Sequence, residues 1–351
     1  MRFVSTRGAS PPVGLSEAIN AGLAPDGGLY VPETLPQLTP RDFAGDDSLA
    51  AIATRLLAPF FASDPLAAQL DSICAGAFSF RAPLKPLATP DDHLLELFHG
   101  PTAAFKDFGA RFLAACMQRM PRAPQPLTIL VATSGDTGAA VAGAFAGLPG
   151  FRVVILYPDG RVSPRQAHQL GCFGANVSAL RVAGSFDDCQ QMVKQAFADT
   201  ELRARTPLSS ANSISLGRLL PQMAYFAQAA LSHLQRRGQL LNFVIPTGNL
   251  GNAVACILAR TCGLPIGRIV LATNANRTLH DFFAGAGFEP RASVATLANA
   301  MDVGNPSNFE RLRWLYPDDA QLRRHFMMDA IGDEAIRSTI RTRYSAHGEI
   351  L

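Results

Sequence analysis

The stretch His99-Gly100-Pro101-Thr102-Ala103-Ala104-Phe105-Lys106-Asp107-Phe108-Gly109 decides how this chain is read. A Gly-Pro turn delivers one lysine, set between two phenylalanines, to the start of a helical pattern. That pattern has apolar residues at Phe108, Phe112, Leu113, Cys116, Met117 and Met120. An amine packed among apolar groups loses hydration, which favours its neutral, nucleophilic form. A lysine in that state can form a Schiff base with a carbonyl cofactor. Composition singles out the same residue. Of 31 Lys and Arg, only Lys85, Lys106 and Lys194 are lysine. A guanidinium stays protonated and cannot replace an imine-forming amine. Lys85 lies between prolines, and Lys194 falls on the solvent side of an amphipathic pattern (Phe186, Cys189, Val193, Phe197), which leaves Lys106.

Around this stretch, short β-rich runs alternate with helical ones. The pattern predicts strands over 127–133, 151–157, 177–182, 240–246 and 268–273. It predicts helices over 107–120, 137–146, 164–170, 185–199, 216–235 and 252–261. Such alternation with short connections implies an α/β fold with parallel sheets. Residues 1–80 read as a small amino-terminal lobe, with a Gly-rich turn at 22–28 and a mostly helical stretch over 39–77. Residues 81–86, with two prolines, read as a linker.

At 351 residues and 48% hydrophobic content the chain can bury a large core in two or three lobes. A net charge of +3 with scattered arginines offers no basic stripe, so nucleic acid is not an expected partner. No apolar run reaches about 18 residues, so no membrane span is expected. The start, Met-Arg-Phe-Val-Ser-Thr-Arg-Gly, lacks an apolar signal core and points to the cytoplasm. The six cysteines form no C-x-x-C pair and read as small core residues in a reducing compartment. With no H-E-x-x-H among the histidines, no metal is expected.

Two glycine-rich turns follow strands and open helices. One is Ser134-Gly135-Asp136-Thr137-Gly138, and the other is Gly248-Asn249-Leu250-Gly251-Asn252. Glycine lets backbone N–H groups converge on an anion, and the helix that follows adds its positive end. Neither turn completes a nucleotide-binding motif. The second offers mainly backbone and amide groups, suited to a bound phosphate ester. The first offers hydroxyls and a carboxylate, suited to a substrate carboxylate and a ring hydroxyl. A third polar segment, Ser209 to Arg218, ends in an arginine able to clamp a second anion bidentately.

These residues resemble the threonine synthase family, pyridoxal-phosphate enzymes of the tryptophan-synthase-β-like fold. The resemblance rests on Asp26-Gly27-Gly28-Leu29, His99-Gly100-Pro101-Thr102 with Phe105-Lys106-Asp107-Phe108, and Thr133-Ser134-Gly135-Asp136-Thr137-Gly138. It extends through Ser210-Ala211-Asn212-Ser213-Ile214, Gly248-Asn249-Leu250-Gly251-Asn252, Asn299-Ala300-Met301-Asp302-Val303 and Pro306-Ser307-Asn308, in this order. It implies an amino-terminal threonine-synthase-type domain over 1–80 and a cofactor-binding catalytic domain over 81–351, with a smaller lobe at about 105–225 nested in a larger one. The resemblance makes Lys106 the Schiff-base lysine for pyridoxal 5'-phosphate, beside Phe105 and Asp136. Gly248, Asn249, Leu250, Gly251 and Asn252 would hold the cofactor phosphate. Ser134, Gly135, Asp136 and Thr137 would meet the substrate carboxylate and ring face, and Thr102, Asn212, Ser213, Arg218 and Arg161 the substrate phosphate. The implied reaction converts O-phospho-L-homoserine and water into L-threonine and phosphate, in a monomer or weak homo-oligomer.

The family pattern continues beyond Leu351 into a strand-and-helix region whose hydroxyl residue meets the pyridine nitrogen, so the chain is expected to be truncated there. Two other readings fit the same residues. One is a serine/threonine dehydratase-like lyase, which needs no second phosphate site; the other is a catalytically impaired relative that only binds.

Overall fold

Gly- and Pro-punctuated alternation of strand and helix folds into two parallel sheets, preceded by a helical amino-terminal segment. The computed structural model describes residues 1–121 and 124–350. Strand β1 (Phe3–Ser5) pairs antiparallel with β2 (Tyr30–Pro32), and helix α1 (Leu15–Ala21) lies between them in sequence. Helices α2 (Leu49–Leu57) and α3 (Leu70–Ala77) follow. Ile52, Leu56, Leu57, Ile73 and Cys74 are buried, and this apolar surface runs without a break into Phe108, Phe112 and Met223. Residues 81–86 are more than a linker. Leu84–Pro86 (β3) pairs antiparallel with His93–Leu95 (β4), and Lys85 Nζ lies 2.9 Å from Glu96.

Helix α4 (Lys106–Arg119) then leads into the first parallel sheet. Its strands are β5 (Leu127–Ala132), β6 (Phe151–Pro158), β7 (Val177–Val182) and β8 (Leu208–Ser210), in the order β7-β6-β5-β8. Between them run α5 (Asp136–Phe145), α6 (Pro164–Gly171), α7 (Phe186–Ala198) and α8 (Thr200–Arg205). The short helix α9 (Leu216–Leu219) and α10 (Met223–Arg237) follow. The sequence pattern reads as one helix over 216–235. Pro221 has no N–H to donate, so the chain tightens into a 3₁₀ turn at Leu220–Gln222 and divides it.

The second parallel sheet has the order β11-β10-β9. It combines β9 (Leu241–Pro246), β10 (Ile266–Thr273) and β11 (Met327–Ala330), with α11 (Gly251–Thr261), α12 (Thr278–Phe283), α13 (Phe309–Leu315) and α14 (Asp319–His325) between them. Helix α15 (Asp333–His347) ends the described chain. Strand β9 alternates buried and exposed residues, with Leu241, Phe243 and Ile245 inside. No helix among the described residues is long and apolar enough to cross a membrane. All six cysteines are free, and five are buried. Burial pushes the Cys74 and Cys262 thiols up to about 12; Cys172 alone is exposed.

The contact that positions the site is made by glycine. A Cβ at Gly109 would stand 2.8 Å from the Arg218 carbonyl oxygen, and one at Gly217 would stand 2.8 Å from Leu113 Cδ1. Two bare backbones therefore let α9 lie directly on the first turns of α4. Gly109→Ala should lower stability by about 1–3 kcal/mol through overpacking. A thermal midpoint equal to that of the parent chain would show that α9 has room to move.

Candidate active site

Lys106 is the first residue of α4, where the helix presents its positive end. The turn before it is fastened by Asp107, whose carboxylate accepts the Thr102 N–H at 2.9 Å and the Thr102 hydroxyl at 2.7 Å. Ala103 takes a left-handed φ of +54° to complete this turn. Lys106 is 9% exposed, and its Nζ lies 4.4 Å from the Phe105 ring centroid and 3.3 Å from Asp136 Oδ2. Burial pulls the ammonium below the usual lysine range; Asp136 opposes that pull, and the Arg218 charge adds to it.

Asp136 opens α5, the helix that follows β5. Thr133 Oγ1 accepts the N–H groups of both Gly135 and Gly138 at 2.9 Å, which shapes the turn. Burial alone would raise the Asp136 carboxyl. The Lys106 charge and hydrogen bonds from Gln166 and Lys106 outweigh it and hold the group below the usual carboxylate range. Ser134 and Thr137 are half-buried on the same turn, of which Asp136 is the residue in contact with Lys106.

The second glycine turn sits at the start of α11. Leu250 adopts a left-handed φ of +60° as the N-cap, which leaves the first N–H groups of α11 without intrahelical partners. Asn249 Nδ2 donates to Ser213 Oγ, and Asn249 Oδ1 accepts the Ser307 N–H. A Cβ on Gly251 would meet Ser213 Cβ at 3.5 Å and Asn308 Nδ2 at 3.6 Å, ordinary packing contacts, so the turn is lined but not blocked at this point. At Gly248 a Cβ would stand 2.6 Å from the Met301 oxygen, because the 3₁₀ turn Asn299–Met301 presses on this loop.

Asn212, Ser213 and Asn249 line a cleft of about 910 Å³ shared with the amino-terminal lobe. Its cations are Arg7, Lys194 and Arg313, so the solvent-facing Lys194 of the sequence reading borders this space. Asn212 Nδ2 donates to the Ala132 carbonyl, while its buried Oδ1 has no donor partner among the described residues. An amine and a helix N-terminus with amide and hydroxyl groups around it suit an aldehyde-bearing phosphate ester, and the unmatched Asn212 oxygen, an acceptor, suits a donor group such as a hydroxyl on the same ligand.

Thr102, Arg218 and Arg161, expected at the substrate phosphate, do not line this cleft, and neither do Lys106 and residues 134–137. Arg218 is 2% exposed, donates to the Ala211 carbonyl at 2.7 Å, and lies outside the residues lining the cleft. Burial draws its guanidinium down to about 10, and its Nε has no partner among the described residues. It acts on Lys106 through its charge. The Thr102 hydroxyl is committed to Asp107. Arg161 is exposed beyond β6 and also lies outside the cleft.

Sequence reading missed two residues. Gln166, on α6, donates to Asp136 Oδ1 at 2.7 Å. Arg311 is fully buried, with its guanidinium on the Tyr30 carbonyl (3.1 and 3.0 Å), the Ile214 carbonyl (2.6 Å) and Asn308 Oδ1 (2.7 Å). It ties the amino-terminal strand to the 212–214 segment. A lone glutamine or arginine in a helical pattern carries no local signal of such a role.

The parallel sheets and the lysine at a helix start define a pyridoxal-phosphate enzyme, and a family model described as pyridoxal-phosphate dependent enzyme matches residues 94–348. A second model, threonine synthase N terminus, matches residues 2–78. Threonine synthase of Serratia marcescens is 41% identical over 343 residues, spanning 97% of this chain and 80% of that one. The crystal structure of the Escherichia coli threonine synthase superposes with a TM-score of 0.92 at 39% identity, covering 100% of this chain and 82% of that one. The pyridoxal-phosphate-bound threonine synthase of Brucella melitensis does so at 0.88 and 36%, with the same coverage. The chain belongs to the threonine synthase family and is a pyridoxal-phosphate-dependent lyase. These relatives do not favour the dehydratase reading.

Asp136→Asn removes the carboxylate that sustains the Lys106 proton. In the Lys106-labelling reaction with cyanate, followed by mass spectrometry on chain freed of cofactor, the variant should react faster at pH 8. The parent's neutral amine fraction should be fully developed only at higher pH. A slower variant would contradict the role of Asp136.

Proposed function

We propose that Lys106 is the residue that anchors pyridoxal phosphate as a Schiff base, and that the substrate is O-phospho-L-homoserine. The observation carrying this reading is a nearly buried amine at a helix start, 3.3 Å from Asp136, in a chain with a second helix N-terminus free to take a phosphate. When bound, the cofactor supplies an electron sink for charge developing at the substrate Cα and Cβ. The chain does the rest. Residues 248–252 receive the cofactor phosphate, with the α11 dipole behind them. Residues 134–137 receive the substrate carboxylate. Lys106 Nζ, once released, takes and returns protons at substrate carbon. Burial lowers its proton affinity, so more of the amine is neutral and able to accept a proton than in a free lysine.

Phosphate departs from Cγ and water adds at Cβ, giving L-threonine and inorganic phosphate. The leaving group needs a positive site, and Asn212 and Ser213 border the cleft that also carries Lys194 and Arg7. The six free cysteines support a reducing compartment, the cytoplasm, as the place of action.

Phosphate release from O-phosphohomoserine should exceed ammonia release from threonine, and borohydride reduction should fix a pyridoxyl label on Lys106. A label on Lys85 or Lys194 would overturn the assignment. Gly251→Val brings a branched side chain against Ser213 and Asn308 at this turn and should weaken cofactor binding about tenfold or more, roughly 1.4 kcal/mol, while the chain without cofactor keeps the parental circular dichroism. Unchanged cofactor affinity would move the phosphate site to residues 134–138.

A further inference from the structure

Asp136 divides its carboxylate between two donors. Oδ2 takes Lys106 Nζ at 3.3 Å, and Oδ1 takes Gln166 Nε2 at the shorter 2.7 Å. The amide is not free to turn. Its Oε1 accepts the Ser163 N–H at 3.0 Å and Asn299 Nδ2 at 2.8 Å, so its nitrogen must face the carboxylate. The backbone has made room for it as well. Gly135 stands at φ +137°, and a Cβ there would come within 2.5 Å of Gln166 Cδ and Nε2. Any side chain at Gly135 would displace the amide.

Gln166 also bridges two parts of the fold. It sits on α6 beside the first parallel sheet, whereas Asn299 belongs to the turn Asn299–Met301. That turn presses its backbone on Gly248 in the loop proposed to take the cofactor phosphate. A continuous path of polar contacts and packing therefore runs from Gly248 through Asn299, Gln166 and Asp136 to Lys106.

We propose that Gln166 is a positioning residue: clamped by Ser163 and Asn299, it holds the Asp136 carboxylate partly away from Lys106 Nζ and so sets how readily that amine loses its proton. The inference concerns Lys106 as a base and rests on the functional reading given above. The charged groups facing Lys106 are Asp136 from α5 and Arg218 from α9, while Asp107 on its own helix is turned to Thr102. A carboxylate that accepts a strong amide hydrogen bond has part of its charge already neutralised. Without the amide, both oxygens are free to turn on the ammonium, and the proton is held more tightly.

The test measures cyanate labelling of Lys106 against pH, by mass spectrometry, on the full chain freed of cofactor with hydroxylamine. Gln166→Leu should slow labelling at pH 8 about threefold to tenfold and displace the profile to higher pH, opposite in sign to Asp136→Asn. Asn299→Ala loosens the clamp while leaving the amide in place and should slow it about twofold. A profile unchanged in a Gln166→Leu chain with parental circular dichroism would overturn the proposal, as would faster labelling. If Gln166→Leu does not fold, Asn299→Ala decides, and an unchanged rate there overturns it. A borohydride label on a lysine other than Lys106 would instead refute the functional reading and leave the measured Lys106 profile to judge Gln166.

Discussion

Taking one ammonium group out of water is the constraint around which this fold is arranged. Lys106 lies at the positive end of α4, under Phe105 and close to the buried guanidinium of Arg218. Burial, the helix end and the guanidinium oppose a proton on the amine, whereas the Phe105 ring face, 4.4 Å from Nζ, favours it. Asp136 favours it more strongly, and that carboxylate is shared with an amide. The outcome is an amine that holds its proton less tightly than a free lysine does, as an imine-forming base requires. The glycine contacts at Gly109 and Gly217 belong to the same arrangement, because they bring α9 and its arginine close enough to act.

The amino-terminal segment joins the site through an unusual fastening. Arg311 has no carboxylate among its hydrogen-bond partners and spends its donors on two carbonyls and an asparagine oxygen. Burial draws it down to about 9, yet it remains protonated at neutral pH. Desolvating a cation is costly unless its donors are matched, and here the matching atoms come from β2, the 212–214 segment and α13. The position of Tyr30 is thus coupled to Ile214, and through the adjoining Ser213 to Asn249 of the second glycine turn.

Most of the fold was legible in the chain because its signals are local. The runs at 127–132 and 241–246 are β-rich and bounded by glycine turns, and the helices after them begin within a residue or two of expectation. Pro221 was a visible break, yet the apolar period across it is continuous enough to mask the division. Strand β11, Met-Met-Asp-Ala, has neither alternation nor β-branching, and only its place beside β10 makes it a strand. The site was legible where glycine and lysine punctuate the sequence. It was opaque where long-range packing decides: nothing local distinguishes the buried Arg218 from a surface arginine, or Gln166 from any other amide on an amphipathic helix.

One consequence of the cysteine distribution is practical. Five thiols are buried, and burial makes them poor nucleophiles. Cys172 alone is exposed, at the carboxyl end of α6, the helix that bears Gln166. A thiol-reactive dye or spin label would therefore attach at one address without mutagenesis. Placed there, it would read the surroundings of α6, close to Gln166, before and after a ligand binds, giving an optical signal from the native chain itself.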